Sequence, residues 1–412
     1  MPRRPAAGSC TSRSGPRTTG IRATAPASPG TARAEAMARR VCGEEHYPAT
    51  LLAVAGHGLP GAARIFPAEP LGDKAWTALL AAAREHRVLG PLRQAVGEGR
   101  LPTRDRQAAD ARALHRAGLL RVLSLEQALL SLVRLLGEAG IDSRVLKGSA
   151  VARLDYREPA LRSFIDLDVL VRAADFERAV TTLGTAGLVR TLAEPSPGFD
   201  RRFDKGTTLR HAAGYELDLH RTFVLGPWGR LVRLESLWDE GEAFELGGHQ
   251  LRALSRRNRF LHACYHAALG DWPLRLGSLR DIAEMLRWAD PDGAAILSIA
   301  REWGIQAVVA AAVADCTRLL GLPANGELTR WAPGYVPTRR EVSWLALHTH
   351  ANKTFAAQAL ATVRVLPWRD RTAYVRALLL PDAEYVAGRH RSALSRFGYA
   401  VREVRRGRAA RS

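Results

Sequence analysis

The chain of 412 residues carries a formal net charge of +19, and 47% of its residues are hydrophobic. This length suits two or three domains, and no uncharged apolar run reaches the ~18 residues of a membrane-spanning helix. The four cysteines, Cys10, Cys42, Cys264 and Cys316, lie far apart in no zinc or redox spacing, so free thiols in a reducing cytoplasm are expected.

Residues 1–40 hold eight arginines, one glutamate and abundant Pro, Ser, Ala and Gly, a mixture that buries too little apolar surface to order itself. Residues 1–45 are therefore read as a disordered basic tail, and residues 391–412 as a second basic tail. Residues 1–40 contribute +7 and residues 391–412 contribute +6, which leaves +6 for the 350 residues between them. Such tails allow non-specific nucleic-acid contact, but a charge excess placed there does not mark a folded nucleic-acid face. Only four of the 60 basic residues are lysines, namely Lys74, Lys147, Lys205 and Lys353, so each lysine is more informative than any one arginine.

A helical region is expected over 46–140. Trp76, Leu79, Leu80 and Ala83 recur at helical spacing from residue 73 onward. A longer helix is predicted across 106–139, where Val122, Leu125, Leu129, Leu132 and Leu136 form one apolar stripe, with Gly140 to end it. A compact mixed core follows over 141–254. “SRVLKGSA” reads as a strand, “LRSFIDLDVLV” as a second, residues 174–186 as a helix and “LVRTLAE” as a third strand. “AEPSPGFDR” is a loop by its prolines and glycine. “TTLRHA” and “YELDLHRTF” form a strand pair turning near Gly214, and “EAFELGGHQLRAL” a hairpin turning at Gly247-Gly248. Ser255 can cap the next helix. Residues 255–390 then read as a helical domain, with helices over 278–288, 293–303, 306–320, 339–362, 370–379 and 382–404. The fold class is α+β, a small mixed sheet flanked by N-terminal and C-terminal helical regions.

The aspartate run poses the chemical question. In a strand, Asp166 and Asp168 share a face two positions apart, while Leu167, Val169 and Val171 share the opposite, wholly apolar face. Burying either carboxylate unpaired costs several kcal/mol, so arginines, solvent or metal ions must compensate. Two crowded carboxylates also repel, and deleting one from the metal-free protein is expected to leave it no less stable. In “YELDLH”, Glu216, Asp218 and His220 share one face. Should the two strands be neighbours, Asp166, Asp168 and Asp218 converge. Upstream, Lys147-Gly148-Ser149 closes a strand, and glycine there lets a phosphate approach the backbone. Three convergent carboxylates beside such a cradle suit divalent metal and a triphosphate. Arg162 has two readings, a triphosphate contact or a partner for Asp166. His262 and His266 share a helix face at metal-capable spacing without an obvious third ligand, and Asp281 is expected to pair with an arginine or with one of these histidines.

“VLKGSAVARLDYREPALRSFIDLDVLV” followed by “YELDLH” resembles the nucleotidyltransferase superfamily with a DNA-polymerase-β-like core, and more narrowly its family of uncharacterised nucleotidyltransferases. Members carry an “LKG” element, then an arginine before “DxDxLV”, then a “DLH” strand. The resemblance extends to “W…LL…A…HRV” at 76–88 and “LHACYHAALGDWPLRLGSLRDI” at 261–282, and covers roughly residues 70–390. It implies that Asp166 and Asp168 are the metal-binding pair and Asp218 the third carboxylate. It likewise implies that Gly148 and Ser149 carry the nucleotide-phosphate signature, with Lys147 and Arg162 beside them. The 16 residues between Ser149 and Asp166 exceed the shortest spacing of the superfamily and match the narrower family. The implied activity is a Mg²⁺- or Mn²⁺-dependent transfer of a nucleoside monophosphate from an NTP, ATP being the expected donor, to a hydroxyl or phosphate of an unidentified acceptor. The rivals are a catalytically silent copy that binds a partner or RNA, and a phosphotransferase on the same core. A silent copy has no need to keep all three acids.

Overall fold

A computed structural model describes residues 46–270, 273–348 and 355–389. Both basic tails, and the helix expected beyond 389, lie outside the described residues. The N-terminal part contains α1 (Ala49–Gly56), α2 (Asp73–Glu85), α3 (Leu89–Gly97) and the long α4 (Asp105–Glu138). The periodic stripes predicted α2 and α4. They missed α1, because “ATLLAVAG” is apolar on every side and buried from Leu51 to Gly56, leaving no polar face to set a period. α3 lies within the stretch that reads as helical from residue 73 onward, and its Pro91 sits in the first turn, where proline loses no hydrogen bond.

The mixed core begins with β1 (Ser143–Val145) and α5 (Ser149–Leu154), then β2 (Leu167–Val171), α6 (Phe176–Thr185) and β3 (Leu188–Arg190). A short helix, α7 (Phe199–Arg202), lies where the sequence suggests only loop. β4 (Gly206–His211) and β5 (Glu216–His220) follow, and β6 (Ala243–Leu246) with β7 (His249–Arg252) make the expected hairpin. Strand order in the main sheet is β1-β2-β5-β4-β3. β2 and β5 are parallel, and the other neighbouring pairs are antiparallel. The third strand stops at Arg190 instead of running through “TLAE”.

Alternation along the strands decides what each face does. Leu167, Val169 and Val171 from β2 join Leu217 and Leu219 from β5 in a core beneath α4 and α6. Leu170, on the other face, belongs to a second core built from helices. That core contains α8 (Arg256–Tyr265), which Ser255 caps by accepting a hydrogen bond from the Asn258 amide, and a π-helical turn over His266–Gly270. It also contains α9 (Leu276–Ala289), α10 (Gly293–Trp303), α11 (Gln306–Leu320) and α12 (Glu327–Gly334). The expected helix over 339–362 is instead α13 (Arg339–Ala346) and α14 (Phe355–Val365), followed by α15 (Trp368–Leu379) and α16 (Ala383–Arg389). Residues of α1, α2 and α3 pack into the same core as α8 to α12, so helices from both ends of the chain close over one face of the sheet. The α+β class holds, with a mixed sheet and helical flanks.

Candidate active site

The parallel pairing of β2 with β5 sets Asp168 directly opposite Asp218 and Leu170 opposite His220. Directly paired residues point to the same side of a sheet, so Asp168, Asp218 and His220 meet on the Leu170 face, opposite the one that packs on α4 and α6. Each offers one ligand atom, and these atoms all lie within 4.8 Å of one another. His220 Nε2 is 3.1 Å from Asp168 Oδ1 and 4.0 Å from Asp218 Oδ2. Its Nδ1 lies 3.3 Å from the Thr222 carbonyl, which fixes the ring plane.

Every carboxylate here has a cation beside it. Lys147 Nζ is 2.9 Å from Asp168 Oδ1, with the carboxylate buried and the lysine side chain half-buried. Lys205 Nζ donates to Asp218 Oδ2 at 3.3 Å, while Thr208 Oγ1 donates to Oδ1 at 2.5 Å. Burial alone would raise the Asp168 pKa, but the Lys147 charge and the His220 hydrogen bond outweigh it and hold this carboxyl well below the usual range. Burial also opposes ionisation of Asp218, and Lys205 and His220 overcome it. Lys147 is pulled down by burial and up by Asp168, Asp166 and Asp218, with the acids prevailing.

Asp166 stands apart from this group. It occupies the bend before β2, with 30% of its side chain exposed, 3.7 Å from the Arg87 guanidinium. Arg87 links α2 to α3 with a left-handed φ of 59°, a conformation that costs about 1 kcal/mol or more for a residue with a Cβ. The reading of Arg162 as the partner of Asp166 is corrected. Arg162 makes a bidentate pair with Asp281, 2.8 Å for each bond, and donates to the Gly148 carbonyl at 3.2 Å. Asp281 also accepts from the Tyr156 hydroxyl at 2.8 Å, so the arginine alternative for this aspartate is the one realised.

Gly148 precedes α5 with φ 52° and ψ −119°, which only glycine adopts freely, and a Cβ there would meet the Phe164 ring at 3.4 Å. Next to it the Ser149 hydroxyl is buried and has no hydrogen-bond partner. A buried orphan hydroxyl costs roughly 1–3 kcal/mol, so this group is unsatisfied at a place where a ligand oxygen would satisfy it. His262 is buried and His266 half-buried, both close enough to feel the charges of Lys147 and Asp168. Burial, with the Lys147 charge, holds both well below the usual histidine value, so they are neutral imidazoles lining the site. Neither belongs to the metal-capable group found among the described residues.

Two carboxylates and one imidazole form a mixed hard and borderline donor set with net negative charge, which fits a divalent cation. Lys205, Thr208 and Arg87 escaped the sequence reading. Lys205 is one of only four lysines and precedes a strand, which was the available signal; Arg87 lies within “HRV” at the end of the first periodic helix.

A family described as uncharacterised nucleotidyltransferase matches residues 72–321, a span that holds every element of the sheet and of this site. The chain belongs to that family. No curated protein matches it. A crystal structure of an antigenic nucleotidyltransferase-like protein from Paracoccidioides brasiliensis shares 13% identity, over 48% of this chain and 92% of that one, with a TM-score of 0.27. No helix among the described residues is long and apolar enough to cross a membrane.

Proposed function

We propose that this nucleotidyltransferase-family chain is an active, divalent-metal-dependent enzyme. It moves a nucleoside monophosphate from an NTP, with ATP the expected donor, to a hydroxyl or phosphate of an acceptor, and releases pyrophosphate. The observation that carries the reading is the in-register Asp168–Asp218 pair, on neighbouring parallel strands beside an unsatisfied Ser149 hydroxyl. Asp168 and Asp218, with His220, would hold the metal, and the family resemblance assigns Asp166 to it as well, although in the metal-free chain Asp166 pairs with Arg87. Once bound, the cation stabilises charge on the attacking and leaving oxygens.

The protein groups around it have separable tasks. Gly148 lets phosphate oxygens approach the backbone, and the Ser149 hydroxyl donates to one of them. Lys147, already beside Asp168, supplies a positive charge for the triphosphate. Arg162 is a positioning residue, because it holds the Gly148 carbonyl while Asp281 holds Arg162. Asp218 takes the proton of the acceptor hydroxyl. The neutral His262 and His266 leave the cleft without added positive charge on that side. A cytoplasmic location and non-specific contact of the basic tails with nucleic acid belong to the same reading.

Product analysis with labelled ATP, Mg²⁺ and a cell extract as the acceptor source tests it, with Asp168→Asn as the control. Pyrophosphate release that requires Asp168 supports nucleotidyl transfer. Release of ADP would replace it with phosphoryl transfer, and neither product after an acceptor screen would favour the silent binding fold.

A further inference from the structure

Away from the acids, a cleft of about 600 Å³ opens between α3, α4 and the 3₁₀ turn Pro159–Leu161. Arg93 enters it from α3, and Arg112 and Arg116 from α4, with His115 in its wall and Glu158 as its one carboxylate. Arg112 and Arg116 are spaced i, i+4 and lie on one helix face, where like charges repel by a few tenths of a kcal/mol without a counter-anion. Among the described residues none of the three arginines makes an ion pair or hydrogen bond. Elsewhere in this chain arginines find carboxylates readily, as Arg162, Arg190, Arg257 and Arg259 do. His115 is buried, and burial together with the Arg93 charge lowers its pKa, so it offers a neutral ring beside the three cations.

We propose that this cleft binds a small phosphorylated ligand of nucleotide or sugar-phosphate size, at a site separate from the acidic one. Planar guanidinium groups donate to phosphate oxygens two at a time, and three of them converging on one concavity match a ligand with two adjacent phosphoryl groups. The volume lies within the range of small-molecule sites. No Phe, Tyr or Trp is among the described residues that line the cleft, and His115 is its single ring, so it lacks the run of stacking platforms on which single-stranded nucleic acid is held. The site is also wired to the cradle. Its Pro159–Leu161 wall runs directly into Arg162, which holds the Gly148 carbonyl. Leu161 in turn packs so closely on α3 that a Cβ at Gly90 would fall 2.4 Å from the Leu161 carbonyl oxygen. A ligand seated against this wall therefore bears on the segment that shapes the phosphate cradle.

Calorimetric titration of the full chain with inorganic pyrophosphate, in low-salt buffer with EDTA, tests this without any assay of transferase activity. EDTA removes metal-dependent binding at Asp168 and Asp218. The expected result is saturable binding that weakens at least tenfold in R112Q/R116Q, weakens similarly in R93Q, and persists in K147A/S149A. Arg112 and Arg116 are exposed and unpartnered, and circular dichroism checks that the variants keep their fold. Unchanged binding in both arginine variants would overturn the proposal, as would loss of all binding in K147A/S149A alone. A third overturning result is no pyrophosphate binding together with RNA affinity that climbs steadily with oligonucleotide length, which would make the surface a polyanion track.

Discussion

At the scale of single residues, the site is balanced by charge. The expectation that removing a crowded carboxylate is harmless does not survive the geometry at Asp168, because its near neighbour is Lys147 and not Asp166. Asp168→Asn leaves the half-buried Lys147 ammonium without its charged partner, and should cost the metal-free protein about 3 kcal/mol by denaturant titration. The pH dependence follows from the depressed pKa of this carboxyl. A depressed folded-state value contributes stability above the unfolded pKa of about 4, and that stability is lost as pH falls below it. The gap in melting temperature between wild type and Asp168→Asn should thus be widest near neutrality and close as the buffer is taken down from pH 4. A gap that widens on acidification contradicts the ion pair. Ser149→Ala should behave in the opposite way. Its hydroxyl bonds to nothing in the apo protein, so stability should stay level or rise slightly, while NTP affinity falls about tenfold for one lost hydrogen bond to a charged group. Asp218→Asn keeps size and loses basicity. Steady-state kinetics should show turnover reduced by about 100-fold or more, with NTP affinity changed much less.

At the scale of elements, the site depends on two seams. One is the bidentate Arg162–Asp281 pair, which ties the segment before β2 to α9 with both side chains only 8% exposed. Asp281→Ala leaves a buried guanidinium unpaired and should lower stability by about 3–5 kcal/mol, whereas replacing both partners by apolar residues should recover much of it. A double-mutant cycle measures the difference. The other seam is β4 on β5. Gly206, with φ 153°, pairs with His220, and a Cβ there would sit 1.9 Å from the Leu219 carbonyl oxygen. Gly206→Ala should prise the strands apart beside Lys205 and destabilise the protein by about 2 kcal/mol or more. These seams mark where sequence reading stops. Period-two alternation exposed the acids of β2 and β5, since one apolar face and one acidic face are written locally. Nothing local says that Arg162 meets Asp281 or that Arg87 meets Asp166, because those pairs are made by helices folding back over the sheet. Ends of elements were equally opaque where no polar face interrupts the apolar run, as in α1.

At the scale of the whole molecule, helices from before and after the sheet share one core above the acids. Ligands that bind there favour the closed arrangement of the entire chain. Mg²⁺ or Mn²⁺ with NTP should raise the melting temperature in one cooperative step, since a ligand at about 100 times its Kd adds about 2.7 kcal/mol to the native state. Asp168→Asn should abolish that shift. A rise confined to a separate early transition would show that sheet and helices melt independently.

The strand order has a consequence for how the protein is made. β5 is the last of the five strands to be synthesised, yet it lies at the centre of the sheet between β2 and β4. Until residue 220 has left the ribosome, two unfinished strand edges wait for the same missing partner, and unpaired edges invite pairing with other chains. Fragments ending at residue 215 should accordingly collect in the insoluble fraction, while one carried through residue 254 has its sheet closed and should be markedly less prone to do so. The strand that brings Asp218 to Asp168 is also the one that ends the exposure of the nascent sheet.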